Sequence, residues 1–422
     1  MDQSWQDTEL ALDRLLKQTN KEAAARARAP KNLFEPPAEV IDTRLAEVAT
    51  ELPTPAIIWD VDKLERNVLW IRDLLREYGF GLNVGLKACP NPKILSLLSG
   101  WGLHADAMTM GEYRLAKEVG FGLVSATGPS FRPGDMRTLL GDGVLFDAQS
   151  YTQLDQLVDL GRVKDLGVRF QVPRPPALRS SASQSERSRF GVSFDERAHG
   201  WFSGAPDVEV SRIRVHTSEG LSSDAGLALE FRTRLALLQA TAFGTVREIN
   251  LGGGILRLAR NPERFKECLA SMATAVEEHA NRSPAPQVKL WLEPGAGLLL
   301  DSAYLVTEVV DTDSDGAPAV VVDASPWNVA PWACPSFHVL ADEPWEFAGA
   351  VYGPTLYEND MFRQTREPSA DERVPRIGDR MIVNCFGAYT LSHARRFGRI
   401  PLPEEYLFSG GTLSRMDAEV CA

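Results

Sequence analysis

A chain of 422 residues with 44% hydrophobic and 24% charged content has apolar material for more than one core and lacks the composition of a disordered or fibrous protein. Its formal net charge of −12 sets up a surface field that repels phosphate backbones, which removes nucleic acid from the expected partners and favours a small-molecule enzyme. Five cysteines without CxxC spacing, no run of about 20 apolar residues, and a start (Met1-Asp2-Gln3-Ser4) unlike a secretion signal argue against a disulfide framework, a zinc site, a membrane span and export, so the reducing cytoplasm is the expected setting.

Residues 1–50 are charged and Ala-rich, and Leu10, Leu12, Leu15 and Leu16 recur at helical spacing ahead of the basic run Lys21 to Lys31. This predicts an N-terminal helical extension packed on the body or on a partner subunit. From Thr54 onward short β-rich runs alternate with amphipathic helical patterns: Ala56 to Trp59, then Val61 to Tyr78, then Leu82 to Leu86, then Pro92 to Trp101. Further strands are predicted at His104-Ala105-Asp106, Leu123-Val124-Ser125, Val144-Leu145-Phe146, Val168-Arg169-Phe170, Ile213-Arg214-Val215, Glu248 to Leu251 and Lys289 to Leu292. With Ile57 and Leu82 counted there are about eight or nine candidates, enough to close a parallel (β/α)8 TIM barrel over residues 51–300. Pro173 to Glu186, rich in Pro, Ser and Arg, reads as a loop that covers a site. After residue 300 the runs Tyr304 to Val310, Ala319 to Val322 and Arg380 to Cys385 follow without intervening helices. Residues 301–422 are therefore assigned to a second, mainly antiparallel β domain that completes the active site, and the fold class is α/β.

Three segments carry chemistry. In Val84-Gly85-Leu86-Lys87-Ala88-Cys89-Pro90-Asn91 a lysine stands at the carboxyl end of a predicted barrel strand, where such barrels keep reactive groups and where an amine can form a Schiff base. A solvated strand-end lysine is the common alternative. Asn250-Leu251-Gly252-Gly253-Gly254-Ile255 follows another strand and strips three successive positions of side chains, so that backbone amides can wrap a phosphate. Glu293-Pro294-Gly295 follows the next strand, where a carboxylate can keep a pyridine nitrogen protonated.

The order of these motifs resembles the diaminopimelate, ornithine and arginine decarboxylase family, the alanine-racemase-like fold type III of pyridoxal 5'-phosphate enzymes, from about Thr54 to Phe408. Further matches are His104 to Thr109 with Glu112, Arg189-Phe190-Gly191-Val192, His216 after a strand, and Phe386-Gly387-Ala388-Tyr389. The resemblance implies that Lys87 binds the cofactor aldehyde and His216 stacks on its ring. It implies that Gly252, Gly253 and Gly254 receive the phosphate, Glu293 meets the pyridine nitrogen, and Tyr389 approaches the phosphate. Asp106 and Gly295 join the cofactor-binding set through their motifs, and Ser218 is a candidate although His216-Thr217-Ser218-Glu219 departs from the family spacing. A homodimer with shared active sites is also implied, Gly353-Pro354-Thr355 being similar to the interface segment.

The chain then departs from the pattern. Where the family continues with a cysteine, the usual proton donor, and an acid, this chain has Leu356 and Tyr357, followed by Glu358. Tyr357, Glu358 and bound water are the candidate donors. The arginine that closes the Glu-Pro-Gly motif is Ala296, and the arginine-proline clamp for a distal carboxylate is Ala330-Pro331. Diaminopimelate and ornithine are accordingly not the expected substrates. Trp327, Trp332 and Tyr357 either line a pocket for a less charged amino-acid tail or pack the β domain. The expected activity is decarboxylation at the α-carbon of an amino acid of specialised metabolism. Racemisation or another α-proton transfer is the alternative, and a non-catalytic cofactor- or partner-binding descendant is the second.

Overall fold

The run Ala56 to Asp60 forms a strand buried along its whole length, β1 (Ala56–Asp60). Its apolar side chains and the helix that follows give it the look of a barrel βα unit, but its partners lie elsewhere in the chain. The computed structural model describes residues 2–26, 41–161, 164–173, 188–216, 224–282, 287–313, 318–333, 335–362, 368–369 and 372–416. These form two units. One draws on Met1–Lys31, Trp70–Leu86 and Ile94–Gly297, and the other on Asn32–Leu69, Lys87–Lys93 and Leu298–Ala422.

In the first unit eight parallel strands close a barrel in chain order. They are β2 (Gly81–Gly85), β3 (His104–Ala107), β4 (Val124–Ala126), β5 (Leu145–Ala148), β6 (Leu166–Phe170), β7 (Val210–Val215), β8 (Glu248–Asn250) and β9 (Lys289–Leu292). Pairing of β2 with β9 completes the ring. Strand residues of period two face alternately outward, where Ile213, Val215 and Ile249 are buried, and inward. The inward layer is unusually polar, with Asp106, Ser125, Asp147, Arg212, Arg214 and Asn250 all buried. Room for such groups comes from small neighbours: a Cβ on Gly167 would stand 1.9 Å from Asp147 Oδ1.

The helix Ala225–Phe243 of this unit is buried on almost every side. Its apolar, Ala-rich sequence suits that position, because the helix Asp2–Arg26 and the helix Pro262–Arg282 both pack on it. Trp5 anchors the N-terminal helix by stacking on Phe194 with ring centroids 4.2 Å apart, edge-on to Phe243.

The second unit is a ten-stranded mixed sheet. Its other strands are β10 (Ala303–Asp313), β11 (Ala319–Val322), β12 (Phe337–Val339), β13 (Trp345–Phe347), β14 (Ala350–Tyr352), β15 (Met361–Phe362), β16 (Arg380–Val383), β17 (Glu404–Ser409) and β18 (Thr412–Arg415). The central path runs β13-β12-β16-β10-β1-β17-β18. β1 is antiparallel to β10 and parallel to β17, and β11 is parallel to β14. The remaining pairs are antiparallel. The Ile57 strand thus belongs to this sheet and not to the barrel, because its long-range partners, and not its local pattern, decide its place. The helix Thr43–Ala49 packs Leu45 and Ala49 into the core of the same unit with Ile58, Tyr304, Val306 and Phe408. Among the described residues the first fifty therefore hold two helices, one in each unit. Among the described residues no helix is long and apolar enough to cross a membrane.

Candidate active site

The chemistry of the barrel unit starts from the alternation on β7. Period two turns Arg212 and Arg214 inward, and His216 follows on the same face one residue past the strand. The Arg214 side chain has no solvent exposure. It donates from Nε to Asp147 Oδ2 at 2.8 Å and from Nη2 to Asp106 Oδ1 at 2.7 Å and Ser125 Oγ at 3.2 Å, and Nη1 pairs with Glu293 Oε2. Burial alone would pull this guanidinium down, but the Asp106, Glu293 and Asp147 carboxylates hold it well above its ordinary range. Arg169 of β6 faces the opposite balance, and burial, with Arg214 nearby, pulls it down to about 10.

Glu293 follows β9 directly and is buried. Its Oε2 accepts from Arg214 and, at 3.0 Å, from Asn250 Nδ2, while Oε1 lies 3.7 Å from His216 Nδ1. His216 is seated on the glycine loop, because the Gly253 amide donates to its Nδ1 at 3.0 Å, which puts the ring proton on Nε2. Gly252 donates to Asn250 Oδ1 at 2.8 Å, and buried Arg232 donates to the carbonyls of Leu251 and Gly253 at 2.7 and 3.0 Å. Two amides of the triplet thus serve protein acceptors, a use that the bare Gly-Gly-Gly pattern does not reveal. Glycine is required here. Gly252 and Gly254 have φ of +73° and +85°, and a Cβ on Gly252 would lie 2.1 Å from His216 Nδ1.

Lys87 lies in the second unit, in a single 3-10 turn, Leu86–Ala88, two residues after the end of β2. The turn is tied down within that unit. The Tyr389 amide donates to the Ala88 carbonyl at 2.8 Å, and Asn91 Nδ2 donates to Glu405 Oε1 at 2.8 Å while Asn91 Oδ1 receives the Lys93 amide at 2.9 Å. Glu405 also accepts from Trp59 Nε1 at 2.9 Å, and burial pushes its carboxyl up against these two hydrogen bonds. Tyr389 occupies left-handed backbone, φ +62°, with its ring 5.0 Å from Trp332. Tyr357 and Glu358 are exposed on the segment anchored by Asp360, which accepts from Ser325 Oγ at 2.6 Å and Thr355 Oγ1 at 2.6 Å. The Tyr357 ring lies 5.4 Å from Trp327 and 6.1 Å from Phe397.

Residues 70–299 match the family model described as the pyridoxal binding domain of pyridoxal-dependent decarboxylases. The chain belongs to the pyridoxal-dependent decarboxylase family. It is 24% identical over 388 residues to a lysine/ornithine decarboxylase of Selenomonas ruminantium, spanning 86% of this chain and 91% of that one. A diaminopimelate decarboxylase of Escherichia coli (strain K12) is 24% identical over 422 residues, 90% and 95% of the two chains. In fold the chain is similar to diaminopimelate decarboxylase from Helicobacter pylori complexed with L-lysine, with a TM-score of 0.70, 20% identity, and 87% and 95% of the two chains covered.

The residues present fit the cofactor that defines this decarboxylase family. The barrel unit joins a buried carboxylate, an imidazole and a glycine loop packed so closely on that imidazole that a Cβ at Gly252 would collide with it. Hydrogen bonds and ion pairs link Asp106, His216, Gly252, Gly253 and Glu293, through Arg214 and Asn250, into one cluster. Gly295 is buried just before the short helix Ala296–Leu299. Lys87 and Tyr389 lie together in the second unit through Ala88. Ser218 lies outside the described residues, as do Cys334 and most of Pro173 to Glu186. The Thr109 and Glu112 motif is a helix cap: Thr109 Oγ1 accepts from the Glu112 amide and Glu112 Oε2 from the Met108 amide. Cys385 is buried, with Sγ 3.5 Å from Asp301 Oδ1. Arg214 and Arg232 escaped the reading of the sequence. The signal for Arg214 is the spacing Arg212-x-Arg214-x-His216 with apolar residues between, which turns three basic side chains to one face.

Proposed function

We propose that this decarboxylase removes the α-carboxylate of an amino acid that is neither diaminopimelate nor ornithine, with Lys87 as the amine that holds the cofactor aldehyde. The observation that carries the reading is the buried Glu293, fixed by Arg214 and Asn250 beside an imidazole seated on the glycine loop. Pyridoxal phosphate, when bound, supplies an electron sink for the pair left on the α-carbon as carbon dioxide departs. His216, held with its proton on Nε2, presents a flat face for a ring to stack on. Glu293 supplies the negative charge that keeps a pyridine nitrogen protonated. A phosphate meets the Gly254 end of the loop, since the amides of Gly252 and Gly253 are turned to Asn250 and His216. Tyr389 is the further candidate for a phosphate contact. Tyr357 or Glu358, both exposed, returns the proton to the α-carbon.

The substrate reading rests on substitutions in the chain. Ala330 stands where an arginine would grip a distal carboxylate, and Tyr357 where an acid would hold a distal amine, while the rings of Trp327 and Phe397 lie against Tyr357 and that of Trp332 against Tyr389. A less charged, apolar or aromatic tail suits them. Exposed Leu356, Tyr357 and Phe397 on the second unit support a homodimer. The enzyme acts in the cytoplasm on this reading.

The test uses the purified protein with pyridoxal phosphate. Borohydride is expected to fix the cofactor to the peptide that contains residue 87, and Lys87→Ala to abolish both the fixed label and the visible colour. A panel of amino acids with uncharged, acidic and basic tails is then screened for carbon dioxide release. Label on another lysine, or release from diaminopimelate or ornithine above all others, would overturn the reading.

A further inference from the structure

We infer that Arg214 is a positioning residue for the reaction: from inside the barrel it holds the Glu293 carboxylate ionised and in one orientation, so that the cofactor's pyridine nitrogen meets an anion. The inference rests on the role proposed above for Glu293. A guanidinium directs its donors in a plane at fixed angles, and here all three nitrogens are used, Nε on Asp147, Nη2 on Asp106 and Ser125, and Nη1 on Glu293. Asp106 and Asp147 are strand residues of the barrel wall and are themselves held, the first by Ser125 Oγ at 2.6 Å and the second by Arg212 Nε at 3.3 Å. Glu293 alone of the three carboxylates stands past the end of its strand, where barrels of this kind place reacting groups. Arg214 therefore joins a fixed wall to a group at the mouth.

The charges facing this cluster come from β3, β5, β6, β7 and the residue that follows β9. Arg169, Arg212 and Arg214 balance Asp106, Asp147 and Glu293, with Ser125 and Asn250 as neutral partners and His216 above Glu293. A side chain wanted only to fill the barrel would be apolar, because a buried ion cluster contributes little to stability beyond what well-packed hydrophobic residues give. What the cluster does supply is one fixed geometry. Glu293 Oε2 is set by two donors, Arg214 and Asn250, so its carboxylate cannot rotate without breaking both. Without Arg214 the buried Glu293 would lose its cationic partner while Asp106 and Asp147 stay near it, and burial beside like charges disfavours a carboxylate's ionised form. A protonated Glu293 is no counter-ion for a protonated ring nitrogen.

The experiment follows the visible absorbance of the full-length protein loaded with pyridoxal phosphate as pH is raised from about 5 to about 9. Wild type is compared with Glu293→Gln, Arg214→Met, Arg214→Lys and the double variant Arg214→Met/Asp147→Asn. The double variant removes one cation and one anion, which keeps the cluster neutral should the single change prevent folding. The midpoint of the absorbance change is expected to move by about one pH unit or more in Glu293→Gln, and in the same direction in both Arg214→Met proteins. Arg214→Lys, which keeps the charge without the planar fork, is expected to recover about half of the shift. If Glu293→Gln moves the midpoint while the double variant stays within about 0.2 unit of wild type, the role of Arg214 is overturned and that of Glu293 stands. If Glu293→Gln itself leaves the midpoint in place, the proposed role of Glu293 fails and this inference falls with it.

Discussion

Gly252→Ala tests the seating of His216 on the glycine loop. The native φ of +73° is left-handed, which costs an L-residue about 1–2 kcal/mol. The new Cβ would stand 2.1 Å from His216 Nδ1 and 2.7 Å from its Cγ, so the ring must move, and displacing a packed ring costs about 1–3 kcal/mol more. Together these reach about 2–5 kcal/mol, and the imidazole leaves the Gly253 amide that fixes its tautomer. The free protein can relax by shifting the loop, but in the role proposed for this loop a bound cofactor needs the ring and loop back in register, so the penalty falls largely on binding. At about 1.4 kcal/mol per tenfold, the dissociation constant for pyridoxal phosphate is expected to rise at least about 30-fold. Equilibrium titration of the apoprotein, followed by absorbance, reads this directly, and thermal melting of the apoprotein reads the part that falls on stability. A dissociation constant within about threefold of wild type together with an unchanged melting temperature would refute the argument, since both require the ring to rest against residue 252.

Two further predictions concern parts of the protein away from the cluster. Trp5→Ala removes a ring buried against Phe194, Phe202 and Phe243 and should lower the stability of the barrel unit by about 3–5 kcal/mol in denaturant titration, with the cofactor dissociation constant unchanged. Burial raises the Glu405 carboxyl above its unfolded value, so the folded state binds the proton more tightly. That contribution is present below the unfolded value and is lost as pH rises through the raised folded one. In Glu405→Gln this loss disappears, so the melting temperature of the variant relative to wild type should climb as pH rises above the unfolded carboxyl value of about 4.3, and a flat difference would show that the carboxyl does not titrate there.

The barrel was legible because its eight strands announce themselves by short apolar runs between amphipathic helices. β1 has the same texture, and nothing local marks it as different. Its membership in the other sheet is set by Ala303–Asp313 and Glu404–Ser409, hundreds of residues away, and a pattern read along the chain carries no such information. In the site, Lys87, His216, the glycines and Glu293 stand out because each is an unusual residue at a strand end. Arg214 sits inside its strand between Ile213 and Val215, where a basic residue reads as a wall side chain facing water. Only closure of the ring shows that the face it occupies is dry and already holds three acids. The glycine triplet suggested a phosphate loop, yet the acceptors for two of its amides, Asn250 Oδ1 and His216 Nδ1, become visible only with the side chains in place.

The place of β1 bears on how the protein is made. A strand near the start of the chain that must lie between two partners near its end stays unpaired while the ribosome adds the whole intervening barrel. During that interval Ile57, Ile58 and Trp59 offer a sticky ribbon with two open edges, the kind of segment that chaperones shield and that drives nascent chains together. A stop codon between the barrel and β10 would release a product with both edges of that ribbon exposed, and one between β10 and residue 404 a product with one edge open, so truncated forms should collect in inclusion bodies even where every barrel strand has been synthesised.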